Sequence, residues 1–163
     1  MVGVASWLAA LGISLPGGTP IETYVGYQFF PRILQFDNYS CYARSVQAVL
    51  THFGYSVSYK SIVRELRTGV DGTHETPAVK FLRKQGLRVG VRRHMTMRDL
   101  HDALARDAVV LAYLDGDHIG VVYGMGKSYV HLADPSLVRT RLGKIPRQQF
   151  RQRWDRSGLT VSG

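Results

Sequence analysis

The spacing of apolar residues changes along the chain, from a helical period in the first half to short runs in the second half. The helical period predicts a helix that begins at Thr96 and three earlier helices, over residues 41–53, 58–67 and 77–85. Ser58 suits the N-cap of the second helix, and Gly54 suits the end of the first. One strand, at residues 87–93, interrupts this helical half.

The second half of the chain has the pattern of an antiparallel sheet. Apolar runs separated by turn residues predict strands at 108–114, 118–124, 129–133 and 137–142. A short helix is expected near 146–154. Helices that come first and strands that come after are typical of the α+β class. We therefore expect a helical N-terminal half packed on an antiparallel sheet from the C-terminal half.

At 163 residues, the chain is long enough for one domain with a sizeable core. We divide it into an N-terminal arm of unknown role, residues 1–33, and a folded domain, residues 34–163. The apolar start of the arm predicts a short helix that ends at Leu15. This start differs from a secretory signal peptide, since no Lys or Arg precedes Arg32, and no apolar run approaches the roughly 18–20 residues that span a bilayer.

Charge and cysteine content narrow the expected partners and compartment. The net charge of +9 favours an acidic peptide, a membrane surface or nucleic acid, although the same charges also suit a solvated surface. Nucleic acid is disfavoured, since the sequence has no zinc-finger spacing and no aromatic-basic RNA-binding motif. A single cysteine excludes an internal disulfide, so we expect a reducing compartment, the cytoplasm.

The single cysteine, Cys41, stands at the predicted start of the first helix, in the segment QFDNYSCYARSVQAVLTHFG. The unpaired N–H groups and the positive dipole end of a helix start stabilise a thiolate, which is the attacking form of cysteine. A thiolate needs a base or ion-pair partner, usually a histidine, and the chain has six. A cysteine at a helix start is also commonly a small buried residue, so its position alone does not decide the chemistry.

Strand pairing selects His118 among these histidines. A hairpin of the strands at 118–124 and 129–133, centred on Gly126, places His118 opposite Asp134. Cross-strand partners have Cβ atoms about 4.5–5.5 Å apart, so an imidazole and a carboxylate would lie side by side. A register slip of one residue would move Asp134 to the other face of the sheet.

The motifs QFDNYSC, DHIGVVYG and LADPS bring Gln, Cys, His and Asp in an order that resembles the bacteriocin-processing cysteine peptidases, family 39 of that class. Phe53-Gly54 after the first helix and Gly86-Leu87 after the third also match, and the resemblance covers about residues 34–155. These peptidases are papain-like domains, often fused to ABC exporters, that cut leader peptides after a Gly-Gly pair. The resemblance therefore implies a papain-like fold and a thiol protease.

The resemblance also implies a role for each matched residue. Cys41 would be the nucleophile, His118 its base and then the acid for the leaving amine, and Asp134 the residue that orients the imidazole. Gln35 would form an oxyanion hole with the Cys41 N–H, where fixed donors stabilise the developing charge. Family members usually have Gly after the Cys, whereas this chain has Tyr42, which we expect to bind substrate or to narrow the cleft. No cofactor is implied.

Three functions use these residues. The leading prediction is a stand-alone cysteine peptidase that cuts an acidic, leader-like peptide after two small residues. The alternatives are a peptidase-like module that binds a secretion substrate without cutting it, and an acyl or amide transferase. A metal site built from Cys41, His118 and Asp134 has no close-spaced ligand pair to support it. The partner that the resemblance suggests is an exporter or another secretion component.

Overall fold

The computed structural model describes residues 24–163, so the helix predicted for the first 15 residues lies outside the described part. Within residues 24–163, five helices and seven strands follow in chain order: β1 Val25–Gly26, α1 Cys41–His52, α2 Tyr59–Leu66, α3 Glu75–Lys84, β2 Arg88–Arg92, α4 Met97–Ala105, β3 Val109–Leu114, β4 His118–Met125, β5 Tyr129–Ala133, β6 Lys144–Pro146, α5 Arg147–Arg153 and β7 Trp154–Ser162. No helix of this part is long and apolar enough to cross a membrane.

Capping residues explain where the predicted helices begin. The Ser58 side chain accepts a hydrogen bond from the N–H of Ser61 at the start of α2, 3.2 Å. At α4 the Thr96 hydroxyl accepts from the Asp99 N–H, 3.1 Å, while the Asp99 carboxylate accepts from the Thr96 N–H, 2.7 Å, which completes a capping box. α3 begins two residues before the predicted Pro77, which is tolerated because N–H groups of a first turn have no helical partner.

The strands form one antiparallel sheet in the order β2-β7-β3-β4-β5-β6, with β1 paired to the far end of β4. Helices α1 to α3 cover one face and α4 and α5 cover the other. β3 therefore reads as the unbroken apolar run VVLAYL rather than an alternating one, because both of its faces are covered. The predicted α+β architecture is confirmed.

One prediction about the end of the chain is wrong, and one strand there is not predicted. The predicted strand at 137–142 is a series of turns, and the strand β6 follows it at Lys144–Pro146. The sequence WDRSGLTVS does not predict a strand because polar residues and a glycine break its apolar alternation, yet it forms β7 between β2 and β3. Pairing on both sides, through Leu159 and Val161, supplies what the local pattern lacks.

The hairpin of β4 and β5 differs from the predicted register by two residues. A turn centred on Gly126 would pair Val122 with Val130, whereas Val122 pairs with Leu132. A bulge between Val122 and Gly124 inserts one extra residue in β4. Side chains alternate between faces with a period of two, so this even shift leaves His118 and Asp134 on the same face.

Residues 24–33 of the predicted N-terminal arm pack against the sheet. β1 adds two pairs to β4, and the ring of Phe30 stacks on Tyr123 with centroids 5.3 Å apart. This packing fixes where the loop that leads to Cys41 begins.

Candidate active site

Cys41 is the first residue of α1, and a short loop delivers it to the surface of a cavity. The Asp37 carboxylate closes this loop by accepting hydrogen bonds from the N–H groups of Tyr39, 2.9 Å, and Ser40, 2.7 Å. Ser40 is the N-cap but makes no side-chain cap bond, so no N-cap side chain covers the first N–H groups of α1. Cys41 is 9% exposed and lines the cavity.

His118, at the start of β4, and Asp134, just after β5, form a buried pair. The His118 Nε2 lies 2.6 Å from the Asp134 Oδ1. Burial alone would lower the pKa of His118, but the Asp134 carboxylate and the nearby Cys41 thiol outweigh it and raise the pKa to about 9. The imidazole is therefore cationic at neutral pH. Its Nδ1 is not bound to Asp134 and is available to Cys41.

Four donors converge on the Asp134 carboxylate, which is fully buried. Besides His118, the Ser136 N–H donates to Oδ1, 2.8 Å, and the Thr140 hydroxyl donates to Oδ2, 2.7 Å. The Arg153 Nη2 lies 3.5 Å from Oδ2. Burial raises the pKa of Asp134, but the bond from His118, helped by Thr140 and Ser136, brings it below its ordinary value.

Arg153 sets the direction of this network. Its Nη1 donates to the Thr140 hydroxyl, 2.8 Å, and an arginine has no acceptor, so the Thr140 hydrogen must point to Asp134. Arg153 also binds the Asp115 carboxylate through Nε, 3.0 Å, and Nη2, 2.8 Å. Sequence reasoning missed Thr140 and Arg153, because no motif or periodicity links positions this far apart in the chain.

Arg32 anchors the loop that carries Asp134. Its Nε donates to the backbone carbonyl of Asp134, 2.7 Å, and its other nitrogens donate to the carbonyls of Ser136, Thr140 and Arg141. These carbonyls belong to the turns where a strand was predicted. The guanidinium of Arg32, which precedes α1 in the chain, thus stabilises these turns, as a neighbouring strand would stabilise a strand.

Gln35 and His118 both line a second cavity, of about 630 Å³. The Gln35 backbone N–H donates to the Pro135 carbonyl, 3.0 Å, and its Nε2 donates to the Asp37 carbonyl, 2.6 Å. An amide nitrogen carries two hydrogens, so one remains for another acceptor. Its Oε1 is buried without a hydrogen-bond partner.

Tyr42 lines the cavity with a small part of its surface, since it is only 8% exposed and packs in the core. Its hydroxyl lies 3.1 Å from that of Tyr113, which donates to the Glu75 carboxylate. Arg93 holds the other side of that carboxylate, 2.8 Å. This chain of contacts makes a fixed wall rather than a free ring on which a substrate could stack.

The cavity in front of Cys41 and His118 has a volume of about 480 Å³. It shares Asn38, Asp117 and His118 with the cavity that Gln35 lines, so the two form one cleft that passes His118. The described residues that line the cavity of Cys41 include no Lys or Arg but four carboxylates, those of Asp71, Glu75, Asp117 and Asp155. Two of these are in ion pairs with arginines outside that lining, Glu75 with Arg93 and Asp117 with Arg139. Among residues 24–163, no group of His, Cys, Asp or Glu is placed to hold a metal ion.

Solved structures with this fold include peptidase domains. A double glycine motif protease from an AMS/PCAT transporter, solved with its leader peptide, has a TM-score of 0.71 and 20% identity over 85% of this chain and 95% of that one. The peptidase domain of Streptococcus ComA, an ABC transporter of a quorum-sensing pathway, has a TM-score of 0.71 and 18% identity over 82% and 98%. A C39-like peptidase from Bacillus anthracis has a TM-score of 0.69 and 15% identity over 87% and 98%.

No curated protein matches the chain. A family model does match its sequence and identifies the family. The sequence model of the peptidase C39 family matches residues 30–163, which include Gln35, Cys41, His118 and Asp134. Since this match covers most of its length, the chain belongs to the peptidase C39 family.

Proposed function

We propose that the chain is a cysteine peptidase that cuts a leader-like peptide with Cys41 as nucleophile. The observation that carries this proposal is the placement of Cys41, at the start of α1, in the same cavity as the buried His118–Asp134 pair. Its single thiol must stay reduced for this role, which is consistent with a cytoplasmic location.

The proposed reaction has two stages, acylation of Cys41 and hydrolysis of the acyl-enzyme. The Cys41 thiolate attacks the carbonyl carbon of the scissile peptide bond and forms a tetrahedral intermediate. The cationic His118 gives its proton to the leaving amine, the C–N bond breaks, and an acyl-enzyme remains. Neutral His118 then takes a proton from water, whose oxygen attacks the acyl carbon, and the C–S bond breaks to release the acid and restore the thiolate with its imidazolium partner.

Two further residues would assist these steps. Asp134 holds the imidazole by its Nε2, so the ring keeps its orientation through both proton transfers. Gln35 would stabilise the oxyanion together with the Cys41 N–H, using the Nε2 hydrogen that Asp37 does not accept. Its place on the wall that also includes His118 supports this role.

The proposed substrate has two small residues before the scissile bond. Tyr42 and Tyr113 form a fixed part of the cavity wall, which would limit the size of side chains next to the scissile bond. One similar structure is a double glycine motif protease in complex with its leader peptide, and another is part of an ABC transporter. We therefore propose an exporter as a partner. Two carboxylates of the Cys41 cavity, Asp71 and Asp155, make no ion pair among the described residues and would keep an acidic part of the substrate away from the scissile bond.

Mass spectrometry of a synthetic peptide library tests this function. Wild type should cut after Gly-Gly or Gly-Ala, replacement of the second small residue by Leu should block the cut, and Cys41→Ala should bind but not cut. Gln35→Ala should lower kcat by roughly 10²–10³, the scale for one oxyanion donor. Cutting by Cys41→Ala would refute the nucleophile. Binding without cutting by wild type would favour a binding module, and products joined to an added amine would favour a transferase.

A further inference from the structure

A second group of charges lies on the opposite face of the sheet from α1. The start of α4, the helix α5 and the start of β7 enclose a groove of about 980 Å³, here called the α4–α5 groove. Four arginines line it, and the described residues that line it include no Asp or Glu: Arg98, Arg147, Arg151 and Arg156. The cavity of Cys41 is the reverse, since its lining has carboxylates and no Lys or Arg.

Three of the four arginines of the groove keep their positive charge without an ion pair among the described residues. Arg98 and Arg151 are exposed, and neither makes a hydrogen bond or ion pair within residues 24–163. The Arg156 side chain is held by the backbone, because its Nε donates to the Met95 carbonyl, 2.9 Å. A backbone carbonyl holds a guanidinium in place without cancelling its charge, so this cation is positioned for an external anion.

The floor of the groove is apolar. Met95, Met97 and Trp154 line it beneath the arginines. Met97 is partly exposed and offers adaptable apolar contact area, whereas Met95 and Trp154 are buried and support it from below. A segment with apolar residues on one side and carboxylates on the other matches both the floor and the rim.

We propose that the α4–α5 groove binds an acidic, amphipathic segment of a partner protein. The net charge of +9 favours an acidic partner, and the groove, unlike the cavity of Cys41, is lined by arginines and by no carboxylate. A single-stranded nucleic acid would need exposed rings for stacking, whereas Trp154 is 5% exposed and its indole N–H donates to the Ser157 carbonyl, 3.1 Å. A membrane would need a convex or flat apolar surface, and this surface is concave.

Fluorescence anisotropy with a labelled synthetic helix, Glu on one face and Leu on the other, tests this proposal. The double variant Arg98→Glu/Arg151→Glu should weaken binding by roughly tenfold or more, since each exposed ion pair is worth up to about fivefold and its reversal adds repulsion. The matched control Lys60→Glu/Arg64→Glu makes the same change of net charge on α2 and should alter binding by less than about twofold. Binding should also weaken as salt is raised.

Further measurements distinguish binding at this groove from binding at the cleft, and binding of the helix from binding of nucleic acid or membrane. Cys41→Ala should bind the helix as wild type does, and the groove variant should keep the wild-type rate of Cys41 alkylation by iodoacetamide, which shows that it is folded. The proposal is overturned if both double variants weaken binding equally, or if the bound helix protects Cys41 from alkylation. It is also overturned if labelled oligothymidine or phosphatidylglycerol vesicles bind more tightly than the helix and lose that binding in the groove variant.

Discussion

Replacing Thr140 by valine tests the network that holds Asp134. Valine keeps the size of the side chain but lacks the hydroxyl, which donates to the Asp134 Oδ2, 2.7 Å, and accepts from the Arg153 Nη1, 2.8 Å. Thr140 is 3% exposed, so water does not take the place of the hydroxyl. The variant leaves Oδ2 with only the Arg153 Nη2, at 3.5 Å.

The cost follows from the charge of the acceptor. A hydrogen bond to a charged group contributes about 1.5–3 kcal/mol, and a neutral one about 0.5–1.5 kcal/mol. Arg153 Nη1 keeps a second acceptor, the Arg139 carbonyl at 3.3 Å, so the loss comes mainly from the bond to Asp134. We expect Thr140→Val to lower the free energy of unfolding by about 2–3 kcal/mol at pH 7. For a domain of this size that corresponds to a decrease in Tm of roughly 4–12 °C.

The loss should depend on pH in one direction. The pKa of Asp134 is held below its ordinary value of 3.8, so the stability that this carboxylate contributes is present above that pH and is lost as the pH falls through the folded-state value. A protonated Asp134 gains less from the Thr140 donor. The difference between wild type and variant should therefore be largest at neutral pH and should shrink below about pH 4.

Thermal and urea unfolding across this pH range, followed by circular dichroism, provide the measurement. Thr140→Ser keeps the hydroxyl and should retain most of the stability. Thr51→Val is the control, since the Thr51 hydroxyl donates to the Gln47 carbonyl, 2.8 Å, on an exposed helix face and should cost less than about 0.5 kcal/mol. A Thr140→Val protein as stable as wild type at neutral pH, or a loss that does not decrease at any acidic pH at which both proteins fold, would refute the reasoning.

Two further predictions concern His118 and the packing of β7. The pKa of His118 is raised from 6.5 to about 9, so its contribution to stability is complete below pH 6.5 and is lost as the pH rises through about 9. Urea unfolding of wild type should show this loss between these two pH values, and His118→Gln should lack it. Equal losses in the two proteins would contradict the buried ion pair. A Cβ on Gly158 would lie 2.2 Å from the Leu111 carbonyl oxygen, so Gly158→Ala should destabilise by about 1–3 kcal/mol, and an unchanged Tm would contradict the close pairing of β7 with β3.

The sequence predicts those features that depend on a local period. The helix at Cys41, the helix start at Thr96 and the two strands of the hairpin all depend on residues within a few positions of each other. The pairing of His118 with Asp134 is predicted although the register is wrong by two. Alternation along a strand has a period of two, so an even error keeps the face and only an odd one would lose it.

Features made by long-range side-chain bonds are beyond such reasoning. Arg32 holds carbonyls more than a hundred positions away, and Arg153 reaches Asp134 from the end of α5. Neither arginine differs in local pattern from those that stay on the surface. β7 is missed for a related reason, because pairing with β2 and β3 on both sides outweighs the weak strand preference of its residues.

The net charge likewise does not predict where on the protein an acidic partner binds. A count of +9 favours acidic partners, but it does not say which surface meets them. The fold separates the charges: carboxylates, two of them in ion pairs with arginines, line the cavity of Cys41, and arginines line the α4–α5 groove. At 0.15 M salt exposed charges act over about 8 Å, so a bound peptide responds to the charges of the surface that it touches. An acidic segment would thus be repelled next to the scissile bond and attracted on the far side of the sheet, and the sequence alone could not separate these two sites.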